Sequence, residues 1–106
     1  MKRGEVYWID FSSTQGGEIR KMRPAVIVSN NHSNRSLNRV QVIPLSTQIE
    51  KIFPCEALVV VNKKQSKAMA DQIATISKER LKNKLGKLSE EHMSAVDRVI
   101  CIQLDL

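Results

Sequence analysis

The sequence predicts a mainly β fold: a small, strongly bent antiparallel sheet or barrel that is followed by one helix. Three observations predict it. Short runs of β-branched and aromatic residues recur along the chain, polar turn-forming segments separate them, and apolar residues near the C-terminus follow a helical spacing. A chain of 106 residues builds one core, so residues 1–106 are expected to form a single domain.

Short strands are predicted wherever these apolar runs occur. They cover residues 5–11, 25–28, 40–45, 57–61, 66–70, 72–76 and 85–88. Arg23 and Pro24 open the second strand, where proline is tolerated because a first strand residue need not donate a ladder hydrogen bond. The polar segments between strands, at residues 12–22, 29–39 and 62–65, are expected to be loops and turns.

Ser89 is the strongest helix start in the chain. Glu90 and Glu91 follow it in the first turn, where the positive end of the helix dipole favours carboxylates. The helix is predicted to run to about Gln103. Its apolar stripe should pack on the sheet and consists of Met93, Val96, Val99 and Ile100. Residues 77–80 are predicted to form one further helical turn.

The charge of the chain favours an anionic polymer as its partner. Seventeen Lys and Arg face eleven Asp and Glu, so the net charge is +6 and the isoelectric point is about 9.6. RNA or DNA is therefore the leading partner class. The alternative is a soluble protein with a lysine-rich surface.

The number and spacing of the cysteines indicate that neither disulfides nor a metal ion hold the fold together. Cys55 and Cys101 are the two cysteines, and they form no CxxC or other metal-binding spacing. Reduced thiols in a cytoplasmic protein are expected, with no metal and no cofactor. No signal peptide or membrane segment is expected, because the purely apolar runs are only a few residues long.

An arginine and a pair of hydroxyls stand at the ends of two predicted strands. Arg23 precedes the second strand, and Ser46 and Thr47 follow the third. A guanidinium that cannot deprotonate and a hydroxyl donor can hold and stabilise a phosphoryl oxyanion. The alternatives are an arginine paired with a surface carboxylate and a serine that ends a strand in a turn.

Four blocks in this order and spacing resemble the MazF/PemK (Kid-like) toxin family of toxin–antitoxin systems. They are GEVYW at residues 4–8, RPAVIV at 23–28, VIPLST at 42–47, and DQI, TI and KERL between 71 and 81. The resemblance covers essentially the whole chain. It implies an SH3-like barrel that forms a homodimer, cuts single-stranded RNA without a metal, and is blocked by a cognate antitoxin with an acidic, disordered tail.

The resemblance also implies roles for individual residues. Arg23 matches the catalytic arginine of the family, and Ser46 falls where the family usually carries a catalytic threonine. Ser46 is interpreted as a hydrogen-bond donor to the scissile phosphate, since no histidine is near it in sequence to activate a nucleophile. Thr47 is a second candidate for this role.

Two carboxylates are candidates for the general base. A carboxylate beside an arginine stays ionised and can accept the proton of the 2′-hydroxyl, which makes Glu18 and Asp71 the groups to test. Some family members carry an arginine at the position of Met69 and a histidine at the position of Gly17. These departures shift weight from Asp71 toward Arg23 with Ser46, and Asp71 can equally be a turn residue.

RNA contacts are expected from polar loop groups. The candidates are Gly17, Thr47, Gln48 and Gln72. A run of basic side chains is predicted either to follow the phosphate backbone or to form a solvated face. Its members are Lys63, Lys64, Lys67, Lys78, Arg80, Lys82, Lys84 and Lys87.

The predicted function is a sequence-specific, metal-independent endoribonuclease toxin, with mRNA, tRNA and rRNA all open as substrates. Attack by the 2′-hydroxyl predicts a 2′,3′-cyclic phosphate and a 5′-hydroxyl end. Two alternatives belong to other classes. One is a toxin of the same fold that binds a protein such as a topoisomerase, and the other is a non-catalytic basic RNA-binding module.

Overall fold

The computed structural model of the protein describes residues 1–12 and 21–106. In these residues strands dominate and two α-helices occur. The strands are β1 (Glu5–Asp10), β2 (Met22–Ile27), β3 (Arg39–Ser46), β4 (Glu56–Val61), β5 (Lys64–Met69), β6 (Ala74–Ser77) and β7 (Leu81–Lys87), and the helices are α1 (Asn31–Ser36) and α2 (Glu90–Leu104). Two 3₁₀ turns, Ala70–Gln72 and Lys78–Arg80, flank β6.

The strands form one curled antiparallel sheet in the order β4-β5-β3-β2-β1-β7, and β6 pairs with the first half of β3. The two outer strands meet where Asn62 Nδ2 donates a hydrogen bond to the Leu85 carbonyl at 2.5 Å. A Cβ on Gly86 would lie 2.9 Å from Asn62 Oδ1, so the glycine permits this approach. The predicted mainly β fold, a bent sheet with a C-terminal helix, is confirmed.

Both faces of the central strands are buried, which explains their nearly continuous apolar sequence. One face packs against α2 and contains Val6, Val26, Ile43, Val59, Met93, Val96 and Val99. The other face forms a second cluster of Ile9, Ala25, Ile27, Val40, Val42, Ile76 and Leu81. Alternation along each strand therefore sends neighbouring side chains to opposite faces of the sheet.

Helix α2 begins where the sequence predicts. The Ser89 side chain caps it by accepting a hydrogen bond from the backbone N–H of His92 at 3.2 Å. Met93, Val96 and Val99 are buried, as the helical spacing predicts.

Helix α1 lies in residues predicted to be turn-forming, so that prediction is wrong. Asn30 caps the helix by accepting a hydrogen bond from the Ser33 N–H at 2.8 Å. The buried Asn34 side chain donates to the Ser29 carbonyl at 2.9 Å. The helix contains no apolar residue, and polar contacts hold it in place. Its sequence therefore has no hydrophobic period from which the helix could be predicted.

Several strand boundaries also differ from the prediction: β2 begins at Met22, inside the predicted loop, and β6 begins at Ala74 because residue 72 belongs to a 3₁₀ turn. Strand β7 begins at Leu81 instead of residue 85, because its exposed Lys82, Asn83 and Lys84 and its shifts of register against β1 obscure the alternation. The turn between β4 and β5 is only two residues, Asn62 and Lys63, with φ of 51° and 64°. Positive φ at both positions is typical of tight hairpin turns.

Candidate active site

Arg23 stands on the exposed start of β2, in a cavity of about 270 Å³. It pairs with Ile9 of β1, so its side chain belongs to the face of the second core cluster. Among the described residues, the cavity is lined by Phe11, Lys21, Arg23, Pro44, Gln72 and Ala74. Two cations thus share one cavity, a composition that suits an anionic ligand.

Ser46 reaches the same face of the sheet at the end of β3. Ala25 of β2 pairs with Pro44 of β3, and continuing this register by two residues places Ser46 opposite Arg23. The Ser46 hydroxyl accepts a hydrogen bond from the backbone N–H of Gln48 at 3.1 Å. Accepting this bond leaves the hydroxyl proton available for donation to another group.

Thr47 is separated from Ser46 by the alternation of the strand. It lines a second cavity of about 230 Å³, together with Trp8 and Pro24. Gln48 is exposed beyond the end of the strand. Thr47 therefore lines the second cavity, whereas Ser46 shares a sheet face with Arg23 but is not among the described residues that line the Arg23 cavity.

The 3₁₀ turn Ala70–Gln72 brings one predicted residue to the Arg23 cavity. Gln72 lines this cavity, and its amide donates to Met69 Sδ at 3.6 Å. Asp71 is exposed and is not among the described lining residues. Gly17 and Glu18 lie outside the described residues.

Five of the predicted phosphate-tracking side chains have partners inside the protein. Lys67 pairs with Glu56, Lys78 donates to the Asn34 carbonyl, Arg80 donates to the carbonyls of Asp10 and Ser12, and Lys84 pairs with Glu5. These contacts give the four residues structural roles. The fifth, Lys82, donates to the Glu79 carbonyl at 3.1 Å but is exposed, and with the exposed Lys63, Lys64 and Lys87 it remains a candidate for contact with a polyanion.

Lys21, Phe11 and Pro44 line the Arg23 cavity but were not predicted as site residues. For Lys21 the signal was present: it precedes Arg23 by two residues, and positions two apart on an extended chain point the same way. Phe11, which directly follows β1, and Pro44 of β3 are brought to the cavity only by the pairing of their segments with β2.

The most perturbed carboxylate is Glu5, which lies outside the Arg23 cavity. Burial raises the pKa of Glu5, but hydrogen bonds from Lys84 Nζ, the Lys2 N–H and the Tyr7 hydroxyl outweigh it and lower the pKa to about 2. Burial and the neighbouring Glu5 raise the pKa of Tyr7. This cluster joins β1 to β7 and belongs to the fold.

Residues 1–12 and 21–106 contain neither a cluster of metal-binding side chains nor a membrane-spanning helix. In that part of the chain, no group of three or more His, Cys, Asp or Glu side chains is arranged to hold a metal ion. None of its helices has the length and apolar character needed to span a membrane.

A larger cavity of about 490 Å³ lies between α2 and β3. It is lined by residues such as Arg3, Asp97 and Cys101, and it includes none of the predicted site residues that the structure describes.

The sequence and the fold have counterparts among known proteins. Residues 2–104 match the family described as PemK-like, MazF-like toxin of type II toxin-antitoxin system. Endoribonuclease MazF9 of Mycobacterium tuberculosis is 32% identical over 115 residues, which cover 100% of this chain and 98% of that protein.

Solved structures show the same fold. An endoribonuclease in complex with its cognate antitoxin from Mycobacterial species is 27% identical and has a TM-score of 0.84, with 100% of this chain and 96% of that chain covered. A MazE-MazF structure from Deinococcus radiodurans (Form-II) is 18% identical with a TM-score of 0.84, covering 100% and 96% of the two chains. At that identity it supports the fold alone.

A curled antiparallel sheet with a C-terminal helix, together with these structural matches, defines the class as the MazF-like toxin fold. The chain belongs to the PemK-like, MazF-like toxins of type II toxin–antitoxin systems. The family predicted from the sequence is confirmed, and the predicted enzyme class agrees with the name of the 32% identical relative, an endoribonuclease.

Proposed function

We propose that this toxin is a sequence-specific, metal-independent endoribonuclease that cuts single-stranded RNA at the Arg23 cavity. The observation that carries the proposal is the state of Arg23. Its side chain is exposed, it shares a cavity with Lys21, and within the described residues no carboxylate pairs with it. A guanidinium held in this way is ready to contact two oxygens of a phosphate.

The proposed reaction is an internal transfer of the phosphoryl group. The 2′-oxygen attacks the adjacent phosphorus, the bond from phosphorus to the 5′-oxygen breaks, and the products are a 2′,3′-cyclic phosphate and a 5′-hydroxyl. One proton leaves the 2′-hydroxyl and one reaches the departing 5′-oxygen. Arg23 stabilises the negative charge that develops on the nonbridging oxygens.

Ser46 supplies the second contact to the phosphate in this scheme. Its hydroxyl accepts from the Gln48 N–H and donates its own proton to a nonbridging oxygen. The register that places it opposite Arg23 supports this role. For the general base we propose Glu18 ahead of Asp71, because the described cavity receives Gln72 and not Asp71 from the 3₁₀ turn.

Substrate selection is assigned to polar groups around the cavity. Gln72 lines it, while Gln48 and Thr47 extend from the end of β3, and Gly17 is a further candidate. We leave mRNA, tRNA and rRNA open as substrates. The exposed Lys63, Lys64, Lys82 and Lys87 support nonspecific attraction of the strand through its phosphates.

The partners we propose follow from the family, and the charge and size of the chain agree with them. The net charge of +6 suits a cognate antitoxin with an acidic, disordered tail. One small domain offers a shallow surface, and a two-fold homodimer would deepen the groove and double its basic side chains. We propose that the toxin acts in the cytoplasm, in line with its free Cys55 and Cys101 thiols.

The decisive experiment compares two RNA strands that differ in one atom. The cut site is first mapped on a defined RNA pool, and a strand is then made with 2′-deoxyribose at the nucleotide 5′ to the scissile phosphate. We expect this strand to resist cleavage at that position and to inhibit cleavage of the unmodified RNA, because the nucleophile is lost and the phosphate contacts remain. Cleavage of the deoxy strand at the same bond would refute the mechanism.

The same samples test the rival functions. Cut ends with a cyclic phosphate and a 5′-hydroxyl are expected from the wild-type protein. Binding of RNA that stays intact would instead identify a non-catalytic module. The homodimer is tested by light scattering on the active species, where a strictly monomeric active protein would refute the shared groove.

A further inference from the structure

The second cavity, which we term the Trp8 pocket, lies between the start of β2, the end of β3 and the turn that joins β4 to β5. Its volume is about 230 Å³. Trp8, Pro24 and Leu85 give it apolar walls, and Thr47, Asn62 and Lys64 supply polar groups. Most of the exposed lining is therefore apolar, with a few hydrogen-bonding groups and one cation, as is usual for a small-ligand site.

The Trp8 pocket is coupled to the Arg23 cavity by the strands themselves. Arg23 and Pro24 are adjacent in β2, and Ser46 and Thr47 are adjacent at the end of β3. In each pair the first residue faces the Arg23 side of the sheet and the second lines the Trp8 pocket. The two cavities therefore open on opposite faces of the sheet at the same strand ends, and an RNA strand with its phosphate at Arg23 would reach the Trp8 pocket by passing around those ends.

A flat, partly polar group is the ligand that these walls fit. An indole and a proline ring can stack on a planar ring, while the Thr47 hydroxyl and the Asn62 side-chain oxygen can meet its polar edge. Lys64 at the margin adds a cation for the phosphate of the same nucleotide. The pocket is also too small for a drug-sized molecule, which calls for about 300 Å³ or more.

We propose that the Trp8 pocket binds one unstacked nucleobase of the RNA strand, next to the nucleotide held at Arg23. This inference rests on the proposed ribonuclease function, which it deepens by assigning a site for a flanking base. Trp8 supplies the stacking surface, and Thr47 with Asn62 reads the base edge. The pairing of the Lys64 cation with an apolar wall favours a nucleotide over an uncharged apolar side chain.

Trp8 is the one tryptophan of the chain, so tryptophan fluorescence measures changes at this pocket directly. We would titrate the wild-type protein with single-stranded 2′-deoxy oligonucleotides of mixed sequence, which the proposed mechanism cannot cut, and record tryptophan emission. A saturable change in emission is expected. An abasic 2′-deoxy strand of the same length keeps the phosphates but lacks the bases, and it should bind more weakly and leave the emission unchanged.

A variant pair tests the contribution of stacking. Trp8→Leu keeps an apolar side chain but removes the ring, and it should weaken binding of the labelled mixed strand by about 5- to 150-fold. Leu37→Ala is the matched control, since Leu37 is similarly exposed (39% against 37% for Trp8) and lies beside α1, outside the pocket. The control should bind as the wild type does. Folding of both variants is checked by urea unfolding.

The outcomes separate this inference from the proposed function. An emission change equal for abasic and base-containing strands, or wild-type affinity in folded Trp8→Leu, would overturn the base pocket even if RNA is cut normally. An emission change caused by an acidic peptide and not by any oligonucleotide would assign the pocket to a protein partner and overturn it as well. Base-dependent emission in a protein that cuts no RNA would support the pocket while refuting the nuclease.

Discussion

The Nζ atom of Lys67 lies 3.1 Å from Oε1 of Glu56, with only 11% and 7% of the two side chains exposed. Lys67 also donates to the Lys51 carbonyl at 3.0 Å, and Glu56 accepts from the Phe53 N–H at 2.8 Å. In the β3–β5 ladder, Lys67 is the partner of Ser46. This buried ion pair therefore fixes the loop between β3 and β4 next to Ser46, the residue that we propose contacts the phosphate.

Lys67→Met is expected to lower the free energy of unfolding by about 3 kcal/mol, because it leaves the Glu56 carboxylate buried without its partner. Urea unfolding measures this. The double variant Lys67→Met with Glu56→Leu removes both charges and should recover most of the loss. A single-variant loss below about 1 kcal/mol would mean that solvent screens the pair as it does a surface pair.

Arg23→Ala is expected to reduce the rate of RNA cleavage by at least about 100-fold while the unfolding midpoint stays unchanged, since the side chain is exposed and binds the oxyanion. Arg39→Ala is the matched control, because Arg39 is also an exposed strand-end arginine but lies at the opposite end of β3 from Ser46. It should keep wild-type cleavage. A folded Arg23→Ala protein that cuts RNA normally would remove Arg23 from the mechanism.

Cleavage is expected to continue in excess EDTA, because the proposed reaction uses the 2′-hydroxyl of the RNA as nucleophile and Arg23 as the counter-charge. The measurement is the initial rate on the mapped RNA with and without chelator. A rate that falls in EDTA and returns on addition of magnesium would contradict the proposal. A 2′-deoxy strand in the same assay controls for contaminating metal-dependent nuclease.

Stability is expected to fall in acid through Glu5. Its folded-state pKa of about 2 is below the ordinary value of 4.5, so its contribution is present above about pH 4.5 and is lost as the pH falls toward 2. Lys84 is half exposed, so solvent screens its interaction with Glu5. We therefore expect the free energy of unfolding to fall by about 1 to 2 kcal/mol, less than the full pKa shift would give. Urea unfolding at several pH values between these limits measures the loss.

The Glu5→Gln variant is the control for this pH dependence, since other carboxylates also titrate in the same range. It should be less stable than the wild type at neutral pH, and the difference should shrink as the pH falls. A difference that is constant with pH would show that hydrogen bonding, and not the charge of Glu5, makes the contribution.

Local chemistry accounts for the parts of the fold and site that the sequence predicted. The Ser89 cap and the spacing of Met93, Val96 and Val99 are determined within one helix, so α2 was readable in advance. The strand-end position of Arg23 follows in the same way from the apolar run after it. The family assignment rests on four such local blocks.

The remaining features depend on pairing between distant segments. Helix α1 is held by polar contacts to the sheet, including the buried Asn34, and no apolar period marks it in the sequence. In the sequence, Arg80 and Lys67 belong to a run of basic residues. In the structure, Arg80 donates to a backbone carbonyl and Lys67 pairs with Glu56. A charge pattern gives the composition of a surface but not which charges find partners.

The sequence by itself determined the residue types available for phosphate chemistry and the strand ends on which they stand. Only the tertiary structure decided that Ser46 shares a face with Arg23 while Thr47 lines the Trp8 pocket. The physical reason is register: side chains alternate with a period of two, so the pairing of β2 with β3, set by contacts far along the chain, determines which cavity each side chain enters.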